Sequence, residues 1–154
     1  MNIIELKNRP DIPADSKLHR IYHQFGVLLQ EINKKELPAD TERSINQHIG
    51  TINASVLNGE ELRKLVKQQQ TAILKMLEKT HKIVTRNHYR NMWMLLGFTA
   101  FGLPIGTAFG LSLGNIGLMG IGLPIGMAIG TAAGTAMDKK AFKEGRQLDM
   151  EIKY

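Results

Sequence analysis

Apolar residues recur with a helical rhythm through the first half of the chain, and then charged residues vanish. Leu18, Ile21, Tyr22, Phe25, Leu28, Leu29 and Ile32 fall three and four residues apart, the stripe of an amphipathic helix. Residues 1–13 form a lead-in with Pro10 and Pro13. A helix starting near Pro13 is expected, with Asp11 as its cap, because proline suits a first turn. Lys34-Lys35-Glu36-Leu37-Pro38 ends it. A second helix is predicted over 39–56, with Ile45, Ile49, Ile52 and Val56 as a narrow stripe. Asn58-Gly59 breaks the chain, and Glu60 opens a third helix with acidic residues in its first turn, as the helix dipole favours. Its apolar positions Leu62, Leu65, Val66, Ile73, Leu74, Leu77, Ile83 and Val84 lie near a heptad rhythm. No strand-period alternation competes. Residues 1–85 are therefore expected to form a small cytosolic helical domain whose stripes need each other or a neighbouring subunit.

No Asp, Glu, Lys, Arg or His occurs over residues 91–137, a run of 47 residues. As one helix this run would measure ~70 Å, more than twice the hydrocarbon thickness of a bilayer. Two spans are expected instead, 92–113 and 117–137, with Ser112, Gly114, Asn115 and Gly117 making the turn; a re-entrant or soluble buried hairpin is the alternative. The third helix meets no breaker before this run, so it is expected to continue unbroken into the membrane. Tyr89, Arg90 and Trp93 on one flank and Lys139 and Lys140 on the other are expected interface anchors, since aromatic rings and basic groups prefer the headgroup layer. Basic residues flank both spans and the turn carries no charge, so both termini are expected in the cytoplasm. The fold class is thus all-α and integral membrane. A cytosolic unit precedes a two-span hairpin over 86–137, and a cytosolic basic tail follows over 138–154.

Composition sharpens this picture. The chain has 154 residues, a net charge of +6 and no cysteine. Disulfide frameworks, thiolate zinc sites and cysteine nucleophiles are excluded. The segregation of charge excludes a single soluble domain and a disordered chain. Residues 1–20 mix charges and prolines and do not read as an export signal.

Twelve of the 15 glycines fall between Gly97 and Gly145, and they form a repeat. The block Gly-Leu-Pro-Ile-Gly at Gly102–Gly106 returns 20 residues later at Gly122–Gly126. Each copy extends a four-residue ladder: Gly102, Gly106, Gly110, Gly114, and Gly122, Gly126, Gly130, Gly134. In lipid the hydrophobic effect does not drive helices together, so close backbone contact must. Ala128, Ala132 and Ala136 form a second small-residue row beside the glycines. One face is expected to pack inside the hairpin and the other against the next subunit, giving a ring-forming homo-oligomer. Pro104 and Pro124 are expected at similar depth, as a constriction or hinge or as prolines that membrane helices simply tolerate. Thr99, Thr107, Thr131 and Thr135 are the candidate pore-lining residues, with Arg90, Lys139 and Lys140 at a basic mouth.

Other constellations carry less. Asp15, His19 and His23 lie four residues apart on a helical pattern, but no further ligand accompanies them, and a surface pair is the better reading. Arg43 and His48 have the spacing of a family of helical ribonucleases, yet only Ser44 follows the arginine and such spacing is common by chance. No catalytic group, metal or cofactor is expected, and the chain does not read as an enzyme. The third helix is basic (Arg63, Lys64, Lys67, Lys75, Lys79, Lys82, Arg86) but lacks an aromatic stacking platform. Its expected neighbours are solvent and anionic headgroups, not nucleic acid.

The paired Gly-Leu-Pro-Ile-Gly blocks, the Gly114-Asn115-Ile116-Gly117 turn and the tail from Met137 to Leu148 resemble bacterial glycine-zipper family membrane proteins. That resemblance covers about a third of the chain and implies a membrane hairpin. The overall plan is similar to small membrane effectors of bacterial antiphage systems, an analogy of architecture. The expected function is a cytoplasmic-membrane homo-oligomer that forms or gates a pore. A cytosolic protein or small ligand would act as trigger at the helical unit, and opening would depolarise the cell. The alternative is a non-conducting anchor or scaffold that recruits a cytosolic partner through its N-terminal domain.

Overall fold

The structure, a computed structural model, describes residues 3–153. Met1, Asn2 and Tyr154, at the ends of the expected lead-in and tail, lie outside the described residues. The chain is all-α, 72% helical, apart from one pair of two-residue strands. It divides into two units: the chain up to Val84 together with residues from Leu148 onward, and Thr85–Gln147 between them.

The first unit packs helices α1 (Lys17–Asn33), α2 (Ala39–Asn53) and α3 (Gly59–His81) around one apolar core. Phe25, Leu28 and Ile32 of α1, Ile45, Ile49 and Ile52 of α2, and Leu62, Val66, Ile73 and Leu77 of α3 are buried there. Each such side chain contributes about 1.5–3 kcal/mol of transfer free energy. Helix α1 starts later than Pro13, because Ser16 and not Asp11 is its cap: the Ser16 hydroxyl accepts the His19 amide at 3.0 Å. Helix α2 stops at Asn53, which leaves Val56 88% exposed and outside the expected stripe.

The lead-in is tied to α2 through its backbone. Asn46 Oδ1 accepts the Ile4 amide at 2.9 Å, Asn53 Oδ1 accepts the Lys7 amide at 2.8 Å, and Asn53 Nδ2 donates to the Glu5 carbonyl. The C-terminal residues join the same core through Leu148 and Met150. The residues of the expected basic tail over 138–154 fall in two places. Residues up to Lys143 belong to a helix, and residues 148–153 pack in the helical unit.

The uninterrupted third helix is also corrected. Helix α3 ends at His81, and Lys82 adopts a left-handed φ of 56°. The carboxyl-terminal carbonyls are closed by the Lys82 and Ile83 amides. Strand β1 (Val84–Thr85) follows and pairs with β2 (Gln147–Leu148). Asn87, again left-handed at φ 59°, leads into a new helix.

The second unit is a helical hairpin. Its first rod is α4 (His88–Gly97), one wide π turn (Phe98–Gly102) and α5 (Leu103–Ser112). Leu113 and Gly114 turn the chain, Gly114 with a φ of 66°. A 3-10 segment (Ile116–Ile121), capped by the Asn115 side chain, leads into the second rod, α6 (Gly122–Lys143). Two helical stretches, His88–Ser112 and Ile116–Lys143, are long and apolar enough to cross a membrane.

Candidate functional site

The glycines of the two rods face each other. A side-chain carbon at Gly102 would lie 3.2 Å from the Gly122 carbonyl oxygen, and one at Gly97 would lie 2.9 Å from Gly130 Cα. One at Gly122 would lie 2.5 Å from Gly106 Cα, and one at Gly134 the same distance from Arg90 Cα. The obstacle is backbone in nearly every case, so the rods touch main chain to main chain in antiparallel register. Gly110 meets the flexible Met119 side chain instead.

This pairing amends the ladder. Gly114 is not a packing residue: it is exposed in the turn, with nothing near its missing side chain. Gly97 takes a place instead, although it lies five residues before Gly102. The π turn between them holds more residues per turn than an α-helix, which returns Gly97 to the glycine face. That turn lies directly before Pro104, whose ring cannot donate to the preceding turn. Pro124 likewise sits at the start of α6, where the missing donor matters least. The register sets the two prolines within about one helical turn of each other along the hairpin.

The second rod's ladder does not end with glycine. Asp138 follows Gly134 at the same four-residue interval and is 7% exposed. Its carboxylate accepts the Tyr89 amide at 3.1 Å and the Arg90 amide at 2.9 Å. Asn87 gives α4 no side-chain cap, so Asp138 supplies one from a position 49 residues downstream of Tyr89. Its acceptors also meet the positive end of the α4 dipole. Asp138 was legible only as the first charge after the apolar run, although its spacing from Gly134 was a signal.

The remaining expected residues fall elsewhere. Ala128, Ala132 and Ala136 lie exposed on the outside of the hairpin. Thr99 and Thr107 are exposed, their hydroxyls bonded to the carbonyls of Leu95 and Leu96 and of Leu103. Thr131 and Thr135 are half-buried, so the four threonines do not form one lining within a single chain. Tyr89 and Trp93 are half-buried, while Arg90, Lys139 and Lys140 are exposed. A shallow recess of about 320 Å³ lies beside Asp138, lined by Arg86, Lys139, Lys143 and Phe142.

The first unit holds the larger concavity, a groove of about 960 Å³. Helix α1 supplies Lys17, His19, Arg20, Ile21, His23, Gln24 and Val27 to it; Arg63 of α3 and Met150, Glu151 and Lys153 complete it. His19 and His23 stack with ring centroids 6.5 Å apart, but Asp15 precedes α1 and does not continue their row. Arg63 is held by Glu60 through Nε at 2.7 Å and through a second, shorter bond. That bond, with burial opposing it, holds the Glu60 carboxyl below its ordinary value. His48 pairs with Gln69 at 2.6 Å on another face, so Arg43 and His48 share no site with this groove.

No family model, curated protein or solved structure matches the chain.

Proposed function

We propose that the chain is a cytoplasmic-membrane protein whose hairpin anchors the N-terminal helical unit as a non-conducting scaffold on the cytoplasmic side. One observation carries this reading. The hairpin turns its smallest residues inward and its large apolar ones outward: Leu95, Leu96, Phe101, Leu103, Phe109, Leu111, Leu113, Ile125 and Ile129 are all exposed. Only 22% and 17% of the most apolar windows of the two stretches are buried. A soluble protein hides such a surface, whereas lipid solvates it, and a bilayer requires the satisfied backbone that a helical hairpin provides. The glycine faces are occupied within the chain, so they are not free to line up with a second copy.

The native chain has no cysteine, which makes topology directly testable. Asn115→Cys should react with a membrane-impermeant maleimide from the outside of intact cells, and Lys139→Cys should not. Recovery of the protein in the supernatant after an alkaline high-speed spin would overturn the reading.

A second reading, a homo-oligomeric pore, is favoured by the exposed row of Ala128, Ala132 and Ala136, along which another copy's helix could approach closely. Depolarisation on induced expression, abolished by Ala132→Leu, would select it over the scaffold.

A further inference from the structure

We propose that the groove on the first unit binds an organic phosphate. Its walls carry Lys17, Arg20, Arg63 and Lys153 against one lining carboxylate among the described residues, Glu151. Glu60 neutralises Arg63. A positive surplus remains on Lys17, Arg20 and Lys153, with the His19 and His23 rings as further donors between them. Lys17 opens α1, and the positive end of the helix dipole adds to the same field. The groove also has an apolar side, with Ile21 and Met150 each 7% exposed and Val27 half-buried. Cations beside an apolar wall fit a ligand with a phosphate head and a nonpolar body.

The wall that brings Lys153 and Met150 to this place is fixed from inside. The Lys153 amide donates to Gln24 Oε1 at 2.9 Å, and Gln24 Nε2 donates to Gln70 Oε1 at 3.4 Å. Gln70 is 1% exposed, and its own amide nitrogen has no partner among the described residues. A buried amide with an unused donor is costly. Through its oxygen Gln70 meets Gln24, and Gln24 holds the Lys153 amide beside the groove. This inference does not depend on membrane insertion.

The phosphate can belong to a soluble metabolite or to a lipid headgroup, and two probes separate these. Full-length protein in zwitterionic micelles is titrated calorimetrically with phenyl phosphate and, separately, with a short-chain phosphatidic acid. Saturable binding of phenyl phosphate assigns a soluble ligand; saturation by phosphatidic acid alone assigns a headgroup. In either case Arg20→Glu and Lys153→Glu, both at exposed positions, should weaken binding at least about tenfold with unchanged helicity. Lys75→Glu, an exposed cation of α3 away from the groove, should leave it intact. Absence of saturable heat from both probes overturns the proposal. So does an equal loss in Lys75→Glu, which would mean diffuse attraction to a basic surface.

Discussion

Removing the Asp138 carboxylate should open the hairpin at its base. Asp138 is nearly buried and accepts two backbone amides, from Tyr89 and Arg90, that have no helical acceptor because they begin α4. A bond to a charged acceptor is worth about 1.5–3 kcal/mol net. Arg90 is exposed and Tyr89 half-exposed, so water can replace part of the loss and the low end applies to each. Asp138→Ala is therefore expected to cost about 2–3 kcal/mol, somewhat above an ordinary cap deletion. Asp138→Asn keeps one acceptor and should cost about 1 kcal/mol. Trp93 is the single tryptophan, and its carbonyl packs against Gly130, so its fluorescence reports on the rod contact. Unfolding in mixed micelles by added SDS measures the difference, and amide exchange at Tyr89 and Arg90 locates it. An Ala variant within about 0.5 kcal/mol of the parent, with both amides still protected, would refute the cap.

Glycines should respond according to what surrounds them. Gly130→Ala places a carbon 2.8 Å from the Trp93 carbonyl carbon, where only backbone can yield, and should cost about 1–3 kcal/mol in the same micelle assay. Gly26→Ala meets nothing within 4 Å in mid-helix and should stabilise the helical unit by about 0.5–1 kcal/mol in thermal melts. Lys82→Gly relieves a left-handed φ of 56° and should add about 1 kcal/mol, read by the same melts. Glu31 sets a pH response. Its bond from Lys34, opposed by burial and helped by the Asp149 amide, holds its carboxyl below the ordinary value. A lowered folded-state value gives stability that is complete above the unfolded value and fades as pH falls through the folded one. Protection of the Asp149 amide, taken relative to its intrinsic exchange rate, should therefore fall as the medium becomes more acidic than the ordinary glutamate range, and Glu31→Gln should remove that dependence.

The sequence by itself determined which parts are helical and where charge stops. The stripes of Phe25, Ile45 and Leu62 become core because their three- and four-residue spacing gives each helix one apolar face, a property local to each helix. The paired blocks at Gly102 and Gly122 likewise announced closely packed rods. Tertiary structure decided what local pattern cannot encode. The break after His81 needs a left-handed Lys82, a residue with no intrinsic leaning that way, and it follows from Ile83 and Val84 being buried after the turn. Gly97 joins the glycine face because a π turn shifts its place in the rod, while Gly114, left-handed at φ 66°, serves the turn alone; which glycine meets which is a relation between rods. Asp138 becomes a cap and Lys153 a groove wall through partners far away in sequence, at the α4 amides and at Gln24. Periodicity records which face of a helix is apolar; only packing determines what that face meets and which distant donor a buried acceptor finds.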